Sequence, residues 1–583
     1  MAAVVWLFCL GAVPAVAQIQ YNDVALNKGV EQTHGNAQYG GGVSFYDFDG
    51  DGWDDLTFAT EKNKQLYFFR NRGGQFERVF LTGIENQAEA KQVIWVDYDA
   101  DGDNDLLVTG NRSKTHLYQN DGTLTFTDVT VAAGIVSDPI MPTYGAAWAD
   151  VDNDGWLDLH LSNYNDTQNV YTGTNYRDYL YHNNGDGTFT DITIAAGMAD
   201  TVNQLAFCSG FLDYDKDGWV DLYNIQDMTY ENVLYRNNGN GSFSDVSIAT
   251  GTDLVICGMG IAAGDFNNTG YLDMYVSNAT GGNKLLRNDG NGGFTEMADS
   301  AGVGFYGIGW AVNFLDADND RDLDIYATGS FPGTLFNSSA FYENTGNGQF
   351  TEHNGSGFEG DTLRSYSNAI GDFNQDGRPD IVVNNILNIN ANLWENHCAA
   401  GNWVKLDLEG TQSNLLGIGS WIEVYTAAGV YYRYTQCGSG YLGQNSQYEI
   451  LGLGTATAAD SIIIRWPSGT VDVLVNVQAN QQIHQVEGGN SLPAPVIRPD
   501  RSAFLCTGDT MLLNTGNYSS YLWSTGDTTA SISVTTSGTY GLTVTNQWGQ
   551  QASTVLTLTD MAAPVPIIAA VTPIACHGKT SGA

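Results

Sequence analysis

The stretch VDYDADGDNDLLV, from Val96 to Val108, places an aspartate at every second position between two short apolar runs. Apolar runs of this length are typical of β-strands. Like charges packed this closely repel one another unless a cation neutralises them. The stretch therefore predicts two strands joined by a cation-binding loop. Its aspartates are Asp97, Asp99, Asp101, Asp103 and Asp105.

The same loop motif recurs through the first two thirds of the chain. Seven copies are present, four close and three looser, and their first aspartates are 50 to 63 residues apart. A period of this size accommodates one four-stranded blade of a β-propeller. We therefore predict an all-β protein in which residues 18–401 form a seven-bladed β-propeller. The copies begin at Asp47, Asp97, Asp150, Asp213, Asp265, Asp316 and Asp372.

A second marker, a hairpin with a recurring tail, predicts how the ring closes. In YLYHNNGDGTFTDITIAAGM (Tyr179 to Met198) an Asn/Gly turn joins two short strands. Six such tails follow the seven loops, but YNDVALNKGV (Tyr21 to Val30) has the same form with no loop before it. An N-terminal strand that completes the last blade would close the ring and remove its open edges. The six tails begin at Phe76, Phe126, Phe189, Phe243, Phe294 and Phe350.

The residue types in the loops favour Ca²⁺ as the bound cation. Positions 1, 3, 5 and 9 carry an oxygen in every copy, whereas position 7 accepts Trp, Tyr, Asp and Arg and is expected to lend its backbone carbonyl. Such a set suits the roughly six to eight oxygen ligands of Ca²⁺ better than the rigid octahedral site that Mg²⁺ prefers. Position 6 is Gly, for a sharp turn, in every copy except the sixth, which has Arg321.

The loops thus predict up to seven Ca²⁺ sites, with a solvated acidic turn as the alternative interpretation. Seven Ca²⁺ would reduce the formal charge of −42 to about −28. The predicted ligands, loop by loop, are Asp47, Asp49, Asp51, Trp53, Asp55; Asp97, Asp99, Asp101, Asp103, Asp105; Asp150, Asp152, Asp154, Trp156, Asp158; Asp213, Asp215, Asp217, Trp219, Asp221; Asp265, Asn267, Thr269, Tyr271, Asp273; Asp316, Asp318, Asp320, Asp322, Asp324; and Asp372, Asn374, Asp376, Arg378, Asp380.

Composition and the N-terminus bear on location and partners. The 65 acidic against 23 basic residues argue against nucleic acid or an anionic membrane as the partner. Residues 1–17 end in a small-x-small site and predict a signal peptide, with a buried strand as the alternative. No later run approaches a membrane span, so we expect a secreted or cell-surface protein. Pairing stays open for the remaining cysteines, Cys208, Cys257, Cys398, Cys437, Cys506 and Cys576.

The aspartate motifs resemble the FG-GAP/VCBS repeats of integrin-α type, whose propeller blades hold mostly structural Ca²⁺ in hairpin loops. After them, SGYLGQNS (Ser439 to Ser446), LGLG (Leu451 to Gly454) and IIIRWPSGTVDVL (Ile462 to Leu474) resemble, in that order, an ASPIC/UnbV domain over residues 402–488. This two-part layout is similar to that of the cartilage acidic protein family and its bacterial relatives. The resemblance implies an architecture more firmly than an activity.

Two further segments complete the predicted organisation. Residues 494–560 resemble an Ig-like β-sandwich of bacterial surface proteins, with Trp523 in the core and Tyr540 in a turn. Residues 561–583 resemble the start of one more repeat, so we expect the natural sequence to continue beyond them.

The chain carries no G-x-S-x-G, H-E-x-x-H, P-loop or Cys-x-x-Cys motif, and His160 is expected to be a strand residue. We therefore expect a calcium-binding adhesion or scaffold protein, not an enzyme, with an extracellular glycan or protein as its partner. The alternative is a carbohydrate-active enzyme such as a polysaccharide lyase, because propeller loops can carry catalytic residues without a local motif.

Overall fold

The computed structural model describes residues 19–84, 88–165, 177–198, 205–228, 230–279, 281–330, 338–346, 348–353, 355–358, 360–399, 401–489, 494–500, 503–505, 509–545 and 551–560. The chain forms two compact units, the first ending at Asn490 and the second beginning at Ser491. The predicted signal peptide (1–17) and the predicted start of a further repeat (561–583) lie outside the described residues.

Strands account for nearly all regular structure in the described residues, which confirms the predicted all-β class. The helices found there are single turns, a 3₁₀ turn at Leu26–Lys28 and α-helical turns at Ser247–Thr250 and Ala298–Ala301. Each of the three ends at a glycine with a left-handed backbone, which terminates the turn.

The repeats form seven antiparallel sheets, each with an inner, a second, a third and an outer strand. From the inner strand outwards, sheets 1 to 4 are Val43–Tyr46, Asp55–Phe58, Tyr67–Asn71, Phe76–Val79; Ala90–Val96, Asp105–Gly110, His116–Asn120, Phe126–Asp128; Thr143–Ala149, Asp158–Asn163, Tyr179–Asn183, Phe189–Asp191; and Ala206–Leu212, Asp221–Gln226, Val233–Asn237, Phe243–Asp245. Sheets 5 to 7 are Gly258–Gly264, Asp273–Asn278, Lys284–Asn288, Phe294–Glu296; Gly309–Leu315, Asp324–Gly329, Ser339–Asn344, Phe350–Glu352; and Ser365–Gly371, Asp380–Asn385, Asn392–Asn396, Tyr21–Asp23.

The seventh sheet takes its outer strand from the N-terminus, as predicted. Tyr21–Asp23 pairs antiparallel with Asn392–Asn396, with Tyr21 opposite Asn396. Each inner strand packs beside the inner strands of the neighbouring sheets, and the seventh packs beside the first. These repeated four-stranded sheets are consistent with a β-propeller.

Chain direction places all seven aspartate loops at one end of the sheets. Each loop joins an inner strand to the second strand, and successive strands are antiparallel. We call this end the loop face, and the end where the outer strands finish the opposite face. The apolar residue at position 2 of each loop is buried between sheets, which explains why it interrupts the aspartates; these residues are Phe48, Tyr98, Val151, Tyr214, Phe266, Ala317 and Phe373.

Residues 402–489 form a small β domain within the first unit. Its buried core includes Leu406, Ile422, Ile462 and Ile464. One sheet contains Glu449–Gly454, Asn402–Glu409 and Gln481–Val486, and the other contains Gly429–Tyr434, Trp421–Thr426, Ala458–Arg465 and Val471–Gln478.

A segment of this small domain, residues 436–447, fills the centre of the ring; we call it the plug. Its strand Gly443–Gln444 pairs parallel with Val43–Tyr46 and so adds a fifth strand to the first sheet. The Gln444 amide oxygen accepts hydrogen bonds from Ser44 at 2.7 Å and from the Trp95 backbone at 2.8 Å. The plug forms hydrogen bonds to all seven inner strands, at Ser44, Trp95, Trp148, Phe211, Ile261, Asn313 and Ile370.

An aromatic cluster continues this filling beyond the plug. The Tyr441 hydroxyl donates to the Tyr39 carbonyl at 2.9 Å, and the Tyr39 ring packs beside Trp310 at 5.7 Å between ring centroids. The cluster also contains Tyr144, Tyr164, Phe207 and Tyr366. The middle of the ring is therefore occupied by the protein's own side chains.

The second unit contains two sheets around Trp523, which is 2% exposed. The strands of one are Arg498–Pro499, Met511–Asn514 and Ser531–Val534, and those of the other are Phe504–Leu505, Gln551–Asp560, Gly538–Thr545 and Ser520–Trp523. The prediction that Tyr540 lies in a turn is wrong, because it lies within the strand Gly538–Thr545, where its hydroxyl donates to the Thr536 carbonyl.

Candidate metal loops

Each loop folds around the carboxylate at its first position. In the second loop, Asp97 accepts hydrogen bonds from the backbone amides of Asp101 at 3.2 Å and Gly102 at 2.9 Å. Gly102 has a φ of 93°, in the left-handed region that favours glycine. In the sixth loop Arg321 adopts a φ of 92° and its amide still donates to Asp316, so the loop keeps its geometry despite the missing glycine.

The aspartate at position 9 is held from the neighbouring strand. Asp105 is fully buried, and its Oδ1 accepts the backbone N–H of Asn120, the last residue of the third strand, at 2.8 Å. All seven loops repeat this bond. The asparagines that donate it are Asn71, Asn120, Asn183, Asn237, Asn288, Asn344 and Asn396.

Six of these asparagines also join one loop to the next. The Asn183 side-chain amide donates to the Tyr98 carbonyl of the preceding loop at 2.8 Å, and Asn237 donates to Val151 at 2.7 Å. Sequence analysis assigned these asparagines only to a turn. The signal that could have found six of them is an Asn that stands five or six residues before the Phe of each tail.

The loops bring the predicted ligands together. Carboxylate oxygens of Asp97, Asp99 and Asp101 lie within 4.8 Å of one another. Equivalent groups at the same spacing occur in three other loops: Asp47, Asp49 and Asp55; Asp150, Asp152 and Asp154; and Asp213, Asp215 and Asp221.

Several of these oxygens are buried and have no hydrogen-bond donor among the described residues. At position 3 they belong to Asp99, Asp152, Asp215 and Asn267, and two more belong to Asp55 and Asp316. A buried carboxylate oxygen with no partner is strongly disfavoured. A hard divalent cation such as Ca²⁺ would satisfy several such oxygens at once, so the residues present fit that ion.

Burial shifts the titration of the loop carboxylates in the metal-free protein. It raises the pKa of Asp97 to about 7 and that of Asp105 to about 9. Burial likewise raises the pKa of Asp55 and Asp221 to about 9. Without a cation, these groups favour the protonated form near neutral pH.

The metal-free protein should therefore lose stability as the pH rises from 5 to 8. In this range the unfolded carboxyls, with pKa values of about 3.9, are ionised, whereas the folded loops retain protons. The folded state binds more protons, so each retained proton costs about 1.4 kcal/mol per pH unit. We expect calorimetry after passage over a chelating resin to show a falling melting temperature, and saturating Ca²⁺ to abolish the fall. A metal-free melting temperature that rises with pH would contradict this expectation.

In five of the loops the residue before the last Asn of the third strand contacts the loop, and sequence analysis missed it. The Arg236 guanidinium lies 2.7 Å from Asp215 and 2.6 Å from Asp217. In the third loop His182 Nδ1 lies 3.2 Å from Asp158 Oδ1, and this hydrogen bond raises the pKa of His182 to about 9. The identity of this residue makes the seven loops electrostatically different. In chain order it is Arg70, Gln119, His182, Arg236, Arg287, Glu343 and Glu395.

Comparisons with known families agree with this geometry. The FG-GAP-like repeat family matches residues 47–108, 97–161, 213–276, 265–327 and 333–383. The ASPIC and UnbV family matches residues 410–492. The chain therefore contains FG-GAP-like repeats and an ASPIC/UnbV domain.

Curated relatives of this FG-GAP repeat protein include cartilage acidic protein 1 from Xenopus tropicalis, 27% identical over 41% of this chain and 38% of the relative. The Homo sapiens protein is 28% identical over 41% of this chain and 37% of its own length. The match thus spans less than two fifths of these relatives. Among solved structures, an Agrocybe aegerita lectin that recognises non-reducing terminal N-acetylglucosamine is 18% identical over 52% of this chain and 76% of the lectin. Its TM-score of 0.32 is too low to support an inference.

Position 7 of the FG-GAP loops packs against the hairpin turn beyond the third strand. A Cβ added to Gly185 would lie 2.9 Å from the Trp156 indole nitrogen, and one added to Gly239 would lie 2.7 Å from that of Trp219. The side chain at position 7 therefore covers the turn, which leaves its backbone to face the loop. Asp103 follows the same rule, because a Cβ added to Gly122 would lie 3.3 Å from its Oδ2.

Two other sequence predictions concern single side chains of the FG-GAP repeat protein. His160 is a fully buried strand residue, as expected; its Nδ1 lies 2.8 Å from Ser209 Oγ, and burial lowers its pKa to about 3. Cys208, Cys398 and Cys437 are free thiols, whereas Cys506 and Cys576 lie outside the described residues. In the part of the chain that the structure describes, every helix is too short or too polar to cross a membrane.

Proposed function

We propose that this chain is a secreted, calcium-binding, seven-bladed β-propeller protein that acts as an extracellular adhesion or scaffold module. The observation that carries the proposal is the recurring set of buried loop oxygens that have no donor among the described residues. In each loop, Ca²⁺ would be held by the side chains at positions 1, 3, 5 and 9 and by the carbonyl at position 7.

The calcium would be mainly structural. Each loop joins the inner strand to the second strand, and its position 9 is the first residue of the second strand, as at Asp105 and Asp158. A cation between these positions ties the two strands together and neutralises carboxylates that otherwise repel one another. The seven sheets would then close as one ring.

The partner-binding surface must lie outside the ring centre, because the plug and the aromatic cluster occupy it. The opposite face presents aliphatic side chains at equivalent positions after the outer strands. Their exposed fractions are 80% for Val131 and Ile248, 67% for Leu26 and 56% for Ile194. We propose that this face contacts an extracellular glycan or protein, with the Ig-like second unit as the alternative binding module.

Binding assays on the full chain would test the proposal. Immobilised protein in Ca²⁺ should retain at least one member of a panel of polysaccharides and purified matrix proteins, and the double variant Val131→Asp/Ile248→Asp should lose that retention. Val473→Asp is the matched control, because Val473 is 47% exposed but lies in the ASPIC/UnbV domain. Retention that survives the double variant would contradict the assigned face. Cleavage of a polysaccharide from the panel, abolished by replacement of a single Tyr, His or Arg, would instead support a carbohydrate-active enzyme.

A further inference from the structure

Four side chains of the ASPIC/UnbV domain reach the first aspartate of four different loops. In every case the acceptor is the same carboxylate oxygen, Oδ2. The pairs are the Tyr448 hydroxyl and Asp47 at 2.8 Å, the Trp421 indole N–H and Asp213 at 3.4 Å, the Arg433 guanidinium and Asp316 at 3.2 Å, and the Lys405 ammonium and Asp372 at 3.5 Å.

The four side chains do not contact the other carboxylate oxygen, Oδ1, of these aspartates. Asp47 Oδ2 also accepts the Gly52 amide at 2.7 Å, whereas Oδ1 accepts only the Asp51 amide at 3.1 Å. In the sixth loop, Asp316 Oδ1 is buried and has no donor among the described residues. The ASPIC/UnbV contacts therefore fix each carboxylate through one oxygen and leave the other for a cation.

We propose that these four side chains are positioning residues for cations in the first, fourth, sixth and seventh loops, so that cation binding and docking of the ASPIC/UnbV domain stabilise each other. The inference rests on the calcium binding proposed above. Removal of a residue that hydrogen-bonds to a metal ligand, without itself touching the metal, typically weakens metal affinity by about 10- to 100-fold. Linkage is reciprocal, so cation binding strengthens docking by the same factor as docking strengthens cation binding.

The first loop offers the clearest test, because Tyr448 orients Asp47 without adding charge. Arg433 and Lys405 also orient carboxylates, but their replacement would change the charge beside the loop as well as the position of the carboxylate. Tyr448 is 7% exposed and Asp47 is fully buried, so the hydroxyl–carboxylate bond is shielded from water. Removal of this one hydroxyl leaves the rest of the interface in place.

Calcium titration of the full chain by calorimetry, wild type against Tyr448→Phe, tests the inference. We expect one site to weaken by about 10- to 100-fold and the others to keep their affinities. Tyr431→Phe is the matched control, because its buried hydroxyl donates to the Gly452 carbonyl at 2.6 Å within the ASPIC/UnbV domain and reaches no loop. That control should titrate like the wild type.

A second measurement examines the reciprocal effect. Hydrogen exchange in residues 436–447 should slow when Ca²⁺ is added to the wild type, and the slowing should be smaller in Tyr448→Phe. If Tyr448→Phe reduces the yield of folded protein, Trp421→Phe examines the fourth loop in the same way.

The outcomes separate this inference from the proposed function. A wild-type chain that binds no Ca²⁺ overturns the calcium function itself. Calcium binding by the wild type, with Tyr448→Phe and Trp421→Phe giving superimposable titrations, overturns the positioning role and leaves the calcium function standing.

Discussion

Removal of divalent cations with EGTA should lower the melting temperature of the first unit by about ten degrees or more, and Ca²⁺ should restore it. A ligand that binds only the native state stabilises it by about 2.7 kcal/mol per site at a concentration of 100 Kd. Seven occupied loops would together contribute well over about 10 kcal/mol. Differential scanning calorimetry of the full chain would measure the shift.

Two controls sharpen this experiment. Mg²⁺ at the same concentration should restore less stability, because it prefers a rigid octahedral shell that retains water. The fifth loop, with only Asp265 and Asp273 as carboxylates, should be the first to empty as Ca²⁺ is withdrawn. An identical melting curve in EGTA and in Ca²⁺ would refute structural calcium.

Replacement of Lys405 by methionine should destabilise the first unit by about 3–5 kcal/mol. Lys405 is 1% exposed, and its ammonium lies 3.5 Å from Asp372 and 3.9 Å from Asp54, two fully buried carboxylates. Burial alone would lower the pKa of Lys405, but the two aspartates raise it above its usual value. The variant leaves Asp54, which is not one of the predicted calcium ligands, buried without a counter-charge. Urea unfolding with Ca²⁺ held constant would measure the loss.

The matched control is Lys28→Met, because the Lys28 ammonium lies 3.5 Å from Glu395 but is 21% exposed. An ion pair of this kind contributes at most about 1 kcal/mol. The double variant Lys405→Met/Asp54→Asn should recover part of the lost stability, because it removes the carboxylate charge that Lys405→Met leaves unneutralised. Equal effects of Lys405→Met and Lys28→Met would show that the buried pair contributes no more than a surface pair.

The local parts of the fold could be predicted from the sequence. Alternating aspartates such as Asp97, Asp99 and Asp101 mark each loop by their spacing, and the unpaired tail after Tyr21 revealed the N-terminal strand. Both signals lie in short stretches that repeat, so the copies could be compared with one another. The metal itself remains a prediction.

The missed features are contacts between residues far apart in the chain. Tyr448 and Asp47 are 401 residues apart, and no spacing rule relates them. SGYLGQNS was useful only as a family signature, because nothing in its composition indicates that it enters a ring of sheets. The bond from Asn120 to Asp105 could not be predicted for a different reason. Its donor is a buried backbone amide, which any residue type except proline could supply.

The position of the plug in the chain has a consequence for biosynthesis. A nascent chain that has emerged only to residue 435 contains the four repeat strands of every sheet but lacks the plug. Until residues 436–447 arrive, the Ser44 hydroxyl and the Trp95 backbone lack the Gln444 amide that pairs with them in the finished protein. The ribosome therefore completes the strands of the ring before it synthesises the plug. A chain that ends between the two events would expose the surfaces that the plug covers and would be a substrate for chaperones.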